Sequence, residues 1–297
     1  MVIAKLYGGL GNQMFQYACG RAFAAYLNTK LHLDIRWFHS DMEDCTPRKY
    51  ELNKFNIVEE FAKKKEVKRF AGYIFTSRVL SKIFRFIKPK EKKGYIKERF
   101  FHFDSNIFLR KGDLYLDGYW QSEKYFIDYR DIIYQDFTLK DDLDEKNKVL
   151  ADQITSCDSV SVHVRRNDYL KNQQTFNFHG VCSAEYYQMA FKIIEGQLSN
   201  PYYFVFSDDQ AWASENLPAN HKIYFISHNS GDDSYKDMWL ISLCKHNIIA
   251  NSSFSWWGAW LNRNPQKIVI APQKWFKCSE PNTMDLMPDS WTKLPNS

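Results

Sequence analysis

The stretch SVHVRRNDY, residues 161–169, joins a strand pattern to a cluster of charge. Its first residues alternate in the way that side chains alternate along a β-strand. Arg165 and Arg166 follow side by side, and Asp168 comes two residues later. Two adjacent cations repel each other, so their place at a strand end predicts an anionic ligand such as a diphosphate. We expect Asp168 to orient one guanidinium, and His163 to point toward the same ligand.

The residues around this stretch alternate between strand and helix patterns. Strands are predicted at 160–164, 202–206, 222–226, 247–250 and 267–271, with helical segments between them. This alternation predicts βαβ units and a parallel sheet with helices on both faces. Ligands of such sheets bind outside the carboxyl ends of the strands. An arginine pair alone is more often a solvated loop, but its position after a parallel strand favours the functional interpretation.

A second candidate anion site begins at Asn251, in the stretch NSSFSWWGAWL. Ser252 and Ser253 lie where a strand becomes a helix, so their hydroxyls and the free backbone N–H groups converge on one point. Ordinary serine capping of a helix is the alternative. Asp237 enters the preceding helix at the same predicted rim and could accept hydrogen bonds from a guanine base, although an acid in a first turn also suits the helix dipole.

The N-terminal half predicts a second α/β domain. A strand at 2–7 leads into GGLGNQ, a helix at 14–27 and a strand at 30–35. We place the domain boundary in the charged stretch 140–148, which divides the chain into domains 1–148 and 149–297. The glycines do not complete a dinucleotide fingerprint, because Met14 occupies the third glycine position. Asp34 nevertheless ends the second strand as a ribose-binding acid would, so a dinucleotide-dependent oxidoreductase stays open as an alternative.

The composition excludes several classes of protein. The net charge of +5 is uneven: residues 61–93 carry twelve Lys or Arg and two Glu, a charge of +10, so the rest of the chain carries −5. A nucleic-acid-binding protein would spread its positive charge along one face. Residues 78–88 have the pattern of a basic amphipathic helix, which either contacts an anionic membrane surface or packs on its own domain. A non-catalytic nucleotide- or polyanion-binding module also remains open.

The cysteines and the N-terminus bear on the cellular compartment and on metal binding. None of the six cysteines has C-x-x-C spacing or an accompanying histidine cluster, so we expect neither a zinc site nor any other metal site. The absence of an apolar signal segment and of a run of ~18 apolar residues predicts a soluble protein. We expect it in the cytoplasm, with peripheral contact at the inner membrane as an alternative.

Six motifs, in this order, resemble the bacterial alpha-1,2-fucosyltransferases of glycosyltransferase family 11. They are GGLGNQMFQYA, GYWQSEKYF, HVRRNDY, HGVCSAEYY, FSDD and ANSSFSWWGAWL, which begin at residues 8, 118, 163, 179, 206 and 250. The resemblance implies an α/β fold of the GT-B type, with two Rossmann-like domains facing a central cleft. It also implies an inverting transfer of L-fucose from GDP-fucose to the 2-hydroxyl of a β-galactoside such as lactose, in glycan or O-antigen synthesis, without a metal or other cofactor.

The resemblance also implies roles for individual residues. In the C-terminal domain, Arg165 would hold the diphosphate and His163 and Asp237 would address the nucleoside; in the N-terminal domain, Asn12 would orient the reacting hydroxyl or the fucose. The other implied donor-binding residues are Gly9, Gly11, Arg166, Asp168, Asn251, Ser252, Ser253 and Phe254. The implied acceptor-binding residues are Asp34, Asp117, Trp120, Gln121 and His179. Asp34, Asp117 and His179 are candidate general bases, each with an equally strong structural explanation. The motif position that is usually glycine in the family is Asn167 here.

Overall fold

A computed structural model describes residues 1–39, 48–71, 94–218, 222–278 and 281–296, apart from the side chains of Ala71 and Asp168. The chain divides into two compact units. The first contains Met1–Lys140 and Met284–Leu286, and the second contains Asp141–Thr283 and Met287–Ser297. The second unit therefore begins eight residues before the boundary that we placed from the sequence. The predicted basic helix at 78–88 lies outside the described residues.

The first unit is built on a four-stranded parallel sheet. Its strands are β1 (Val2–Lys5), β2 (Leu31–Asp34), β3 (Tyr95–Lys97) and β4 (Leu114–Asp117), in the order β2-β1-β4-β3. Its helices are α1 (Leu10–Tyr26), α2 (Lys64–Ala71) and α3 (Arg130–Asp136). The two central strands, β1 and β4, are mostly apolar and buried: Ile3 of β1 and Tyr115 of β4 pack under Val67 and Phe70 of α2.

The turn between β1 and α1 depends on a glycine. Gly8 has a φ of 78°, a left-handed conformation that costs glycine nothing and most other residues about 1 kcal/mol or more. Helix α1 then begins at Leu10, four residues earlier than the sequence predicted. The glycine-rich segment is therefore mostly the first turn of a helix, and Gly9 is its N-cap residue.

The second unit is built on a six-stranded parallel sheet in the order β10-β9-β8-β5-β6-β7. Its strands are β5 (Ser159–Val164), β6 (Tyr202–Ser207), β7 (Lys222–Ile226), β8 (His246–Ile248), β9 (Val269–Pro272) and β10 (Thr292–Leu294). Its helices are α4 (Glu145–Ser156), α5 (Asn167–Leu170), α6 (Gln173–His179), α7 (Ala184–Glu195), α8 (Gln210–Asn216), α9 (Ser234–Leu243) and α10 (Ser253–Leu261).

Both faces of this second sheet are covered by helices. Val160, Val162 and Val164 of β5 pack with α7 and α8 on one face. Phe204 and Phe206 of β6 pack with α4 and α9 on the other face. Both units are thus Rossmann-like, with parallel sheets, which confirms the predicted α/β fold class. Among the described residues, no helix is both long enough and apolar enough to cross a bilayer.

The predicted boundary stretch is not a linker throughout. Asp144 is the N-cap of α4: its side chain accepts a hydrogen bond from the backbone N–H of Asn147. The same carboxylate receives Lys236 Nζ at 2.8 Å, and these bonds hold the pKa of Asp144 well below its usual range. Asp144 is therefore the start of a helix of the second unit and not part of a linker.

Candidate active site

Strand pairing in the second unit places two acidic residues beside the arginine pair. Strands β5 and β6 pair in a register that sets Val164 opposite Ser207, so the residues just beyond them, Arg165 and Asp208, also lie side by side. The Arg165 Nε atom lies 3.5 Å from Asp208 Oδ2. The backbone N–H of Arg166 donates to Asp208 Oδ1 at 2.8 Å. Asp208 therefore orients both residues of the pair.

The two arginines have different surroundings. The Arg166 guanidinium packs 3.9 Å from the centre of the Trp212 ring, a cation–π contact that fixes its plane. Its Nε lies 3.8 Å from Asp209 Oδ2, which is an ion-pair distance but too long for a hydrogen bond. Arg166 is thus held against its own unit, whereas the Arg165 side chain is more exposed. This difference favours Arg165 as the ligand-binding guanidinium.

The acids that contact the arginines were not predicted. We expected Asp168 to orient a guanidinium, but its side chain lies outside the described part of the chain. Asp209 caps α8, because its side chain accepts a hydrogen bond from the backbone N–H of Trp212 at 3.2 Å. Asp208 does not cap this helix but orients Arg165 and Arg166, which lie 43 and 42 positions earlier in the sequence.

His163 is buried near the carboxyl end of β5. Burial, reinforced by the nearby Arg165 charge, lowers the pKa of its imidazole to about 3, so the ring is neutral at physiological pH. The ring lies 5.6 Å from that of Phe254, the second residue of α10. Nδ1 is buried and has no hydrogen-bond partner within the described structure. A neutral imidazole of this kind can accept or donate a hydrogen bond to a ligand, but it is a poor base for proton transfer.

The serine-led helix start lies on the strand next to β5. Strands β5 and β8 pair directly, and the chain leaves β8 through Asn251 into α10. Ser252 is the N-cap residue of α10, yet its side chain makes no capping hydrogen bond. Tyr169, shortly after the arginine pair, donates its hydroxyl hydrogen to the backbone oxygen of Asn251 at 3.2 Å. The arginine and serine elements therefore meet at one edge of one sheet.

Asn251 supports this edge rather than pointing freely into it. Its Nδ2 donates to the backbone oxygens of His179 at 2.9 Å and Trp275 at 3.2 Å. These bonds tie together three loops that follow different elements of the second unit. The side chain is buried, so Asn251 is better explained as a residue that positions its neighbours Ser252 and Ser253.

Asp237 lies in the first turn of α9, where the sequence predicted it. Burial raises the pKa of its carboxyl to about 7. Its Oδ1 accepts one hydrogen bond, from Asn229 Nδ2 at 2.7 Å, and Asn229 is held in turn by Asn147. The carboxylate thus keeps capacity for further donors, which a desolvated acid requires.

His179 belongs to an aromatic cluster of the second unit. It is the last residue of α6, its ring stacks on Tyr169 at 4.7 Å, and Phe276 lies 5.5 Å away. Burial lowers the pKa of this imidazole to about 4. The structure therefore places this predicted acceptor residue in the same unit as Arg165, whereas the other predicted acceptor residues belong to the first unit.

Asn12 and Gln121 meet in the first unit. Gln121 Nε2 donates to Asn12 Oδ1 at 2.7 Å, which joins the first turn of α1 to the loop after β4. Gly9 precedes α1 and Gly11 lies within it, so neither needs a left-handed conformation. Asn12 is half-buried, and its amide nitrogen lies close to Gly8.

The two other candidate bases are already engaged. Asp34 is 3% exposed and accepts from Arg36 Nε at 2.8 Å, Arg36 Nη2 at 2.9 Å and the Tyr115 hydroxyl at 2.7 Å. Burial alone would raise its pKa, but these bonds outweigh burial and lower it. Asp117 accepts from Lys5 Nζ at 3.0 Å and from the Tyr95 hydroxyl at 2.5 Å. Neither arrangement favours proton abstraction from a sugar.

An acid that the sequence analysis missed lies just after β3. Burial raises the pKa of Glu98 to about 7, even though its two carboxylate oxygens accept from the backbone N–H groups of Tyr119 and Trp120 at 2.7 and 2.9 Å. Trp120 has a φ of 57°, an uncommon conformation for a bulky residue. Gly118 is the one feature of the sequence that could have indicated this close approach. A Cβ added at Gly118 would lie 2.3 Å from Glu98 Cβ, so the position requires glycine.

Comparisons with known proteins agree with these motifs. The model of "Glycosyl transferase family 11" matches residues 1–293. The chain belongs to glycosyltransferase family 11. It is 36% identical to the alpha-1,2-colitosyltransferase of Escherichia coli, over 99% of both chains. It is 38% identical to the O-antigen biosynthesis glycosyltransferase WbnK of Escherichia coli, over 97% of this chain and 99% of that protein. The solved NodZ alpha-1,6-fucosyltransferase is 16% identical, with a TM-score of 0.48, over 91% of this chain and 94% of that chain.

The unusual residue of this family 11 chain has a local explanation. Asn167, where the family usually has glycine, is the first residue of α5 and does not adopt a left-handed conformation. Its Nδ2 donates to the backbone oxygen of Asp208. The side chain thus adds a link between the arginine segment and β6, and its helical backbone does not require glycine.

The described part of this glycosyltransferase holds no group of three or more His, Cys, Asp or Glu side chains arranged to bind a metal ion. Asp208 and Asp209, the pair most suggestive of a metal site, lie beside guanidinium groups. The thiols of Cys19, Cys182 and Cys244 are buried.

Proposed function

We propose that this glycosyltransferase transfers L-fucose from GDP-fucose to the 2-hydroxyl of a β-galactoside in O-antigen synthesis, with inversion and without a metal ion. The observation that carries the proposal is the meeting of Arg165 and the Ser252–Ser253 helix start at one edge of the second sheet. A guanidinium and a set of backbone N–H groups are the donors that bind a diphosphate best.

The same groups suit the chemistry of the transfer. The bond between carbon 1 of fucose and the diphosphate oxygen breaks while the acceptor oxygen bonds to carbon 1 from the opposite face, so a β-linked donor gives an α-linked product. The acceptor hydroxyl proton leaves to a base or to solvent. Negative charge grows on the departing GDP, where Arg165 and the start of α10 stabilise it electrostatically.

Asp237 is suited to bind the guanine ring of the GDP-fucose donor. Guanine presents an N1–H and an exocyclic amine side by side, which a carboxylate can accept together. Asp237 uses one acceptor position for Asn229, is half-buried, and has no cation within ion-pair distance among the described residues. A bound guanine would supply the missing donors and lower the pKa of this carboxyl.

The colitosyl donor is a second candidate, favoured by the 36% identity to a colitosyltransferase over 99% of the chain. Colitose is L-fucose without the hydroxyl at carbon 3. A site that hydrogen-bonds this hydroxyl discriminates strongly against the sugar that lacks it, whereas a site that merely tolerates it discriminates by about 10- to 100-fold. The ratio of turnover with the two donors therefore identifies the natural one.

A donor-by-acceptor assay tests the proposal. Purified protein is incubated with GDP-fucose or GDP-colitose and with lactose, with and without a chelator, and the product linkage is determined by NMR. We expect an α-1,2-linked product, a preference for GDP-fucose and no effect of the chelator. A preference for GDP-colitose would replace the donor assignment. The absence of transfer from either GDP-sugar, or a loss of activity that magnesium restores, would contradict the proposal.

A further inference from the structure

The first unit contains a cavity of about 240 Å³ beside the edge strand β3. Its wall includes Glu98 and Phe100 just after β3, Ile107 and Arg110 from the segment before β4, and Trp120 and Tyr125 after β4. The cavity is several times larger than the ~30 Å³ that one water molecule occupies. It is smaller than the roughly 300–1,000 Å³ typical of pockets for drug-sized ligands, and so suits one sugar ring better than a nucleotide.

The chain builds a specific environment for the carboxylate in this wall. Tyr119 and Trp120 each donate a backbone N–H to a different oxygen of Glu98, so the loop is wrapped around the acid. Gly118 permits this approach, because a side chain there would collide with Glu98. The strained φ of Trp120 completes the same turn, and strain of this kind persists only where the surrounding structure enforces it.

This carboxylate retains unused acceptor capacity. Two of its roughly four lone-pair positions receive the backbone N–H groups. Among the described residues no cation lies within ion-pair distance of it, and burial has already raised its pKa. A partly desolvated acid without a cation is costly unless a ligand supplies hydrogen-bond donors.

An aromatic ring is available on the same wall. Phe100 is 53% exposed and stacks on His102 at 5.0 Å with nearly parallel planes. An exposed ring held in a fixed plane can pack against the C–H face of a pyranose, while Glu98 accepts from a hydroxyl at the edge of the sugar. The wall also includes the cationic residues Lys97, Arg99 and Arg110, so the choice of a sugar rests on the Glu98 acceptor and the Phe100 ring and not on the overall charge of the cavity.

We propose that this cavity binds a neutral pyranose of the acceptor glycan, with a sugar hydroxyl donating to Glu98 and the sugar face packed on Phe100. As an acceptor subsite it rests on the proposed function, but saccharide binding can be measured without turnover. The cavity belongs wholly to the first unit, whereas the arginine and serine elements belong to the second. Its residues should therefore affect the acceptor and not the binding of GDP.

Ligand-observed NMR on the full chain tests this assignment with methyl β-galactoside, methyl β-glucoside and lactose as probes. We expect the wild-type chain to bind at least one of these saccharides. Relative to the wild-type chain, the affinity should fall by roughly tenfold or more in Glu98→Gln and by several-fold in Phe100→Ala. Leu109→Ala is the matched control, because Leu109 is 75% exposed in the same region and does not line the cavity. If Glu98→Gln does not fold, Phe100→Ala still tests the proposal, because an exposed ring can be removed without disturbing the core.

The outcomes separate this proposal from the proposed function. Equal saccharide affinity in the wild-type, Glu98→Gln and Phe100→Ala chains, or no binding by the wild-type chain, would overturn the cavity assignment. Weaker saccharide binding in both variants, with GDP affinity retained, would support it. Saccharide binding through these residues in a chain that transfers no sugar from either GDP-sugar would refute the proposed function and leave the cavity assignment intact.

Discussion

Replacing Arg165 by lysine separates charge from geometry at the proposed diphosphate site. Lysine keeps the positive charge but loses the planar fork that can make two parallel hydrogen bonds to phosphate. The Arg165 side chain is oriented by Asp208 and is about one quarter exposed, so its bonds are only partly screened by water. One lost hydrogen bond to a charged group costs about 1.5–3 kcal/mol, which corresponds to roughly a 10- to 150-fold lower kcat/KM for the donor.

Arg166→Lys is the matched control in this experiment. Its guanidinium packs on Trp212, so the substitution loses the stacked plane and about 0.5–2 kcal/mol of cation–π stabilisation. We expect a lower melting temperature but a smaller change in donor kcat/KM than in Arg165→Lys. Initial rates at varied GDP-fucose, GDP titration calorimetry and thermal unfolding measure all three quantities. Near-normal turnover in Arg165→Lys, or a larger loss of turnover in Arg166→Lys without destabilisation, would show that Arg165 does not bind the diphosphate.

Three further predictions address other contacts. Asp208→Asn should lower kcat/KM for the donor by roughly fivefold, because the amide keeps the backbone contact but loses the charge facing the guanidinium; unchanged rates would contradict this. The KM for the donor should rise as the pH falls through about 7, since protonated Asp237 cannot accept two guanine hydrogen bonds, and Asp237→Asn should remove that dependence in pH-rate profiles. Gly258→Ala should cost about 1–3 kcal/mol of unfolding free energy in urea titrations, because its Cβ would lie 2.3 Å from Ile241, whereas Gly196→Ala should stay within about 0.5 kcal/mol; equal stabilities would contradict the packing.

The parallel strands of the second unit could be predicted from their composition. Strands β6 and β9 are short apolar runs, and a sheet buried on both faces requires that pattern. Strand β10 could not be predicted, because Thr292, Lys293 and Leu294 form a short polar edge without apolar alternation. Helix α6 was missed because QQTFNFH has weak helix propensity and is stabilised at its N-cap by Asn172.

The sequence located the elements of the site, because each is marked by a local pattern. It did not locate the contacts between them, because those join residues that are far apart in sequence. Arg165, Ser252 and Asp237 follow strand ends or begin helices, which sequence patterns locate well. Asp208 could not be predicted as a partner of Arg165, since only the register of β5 and β6 brings the two residues together. Glu98 was missed for the same reason: the groups that bind its carboxylate are backbone N–H groups 21 and 22 residues later in the chain.

A crystal structure of the GDP complex tests the central claim most directly. We expect the diphosphate at the carboxyl edge of the second sheet, with phosphate oxygens about 2.7–3.2 Å from the Arg165 guanidinium and from backbone N–H groups at the start of α10. A diphosphate that contacts only one of these two elements, or that binds elsewhere on the chain, would contradict it.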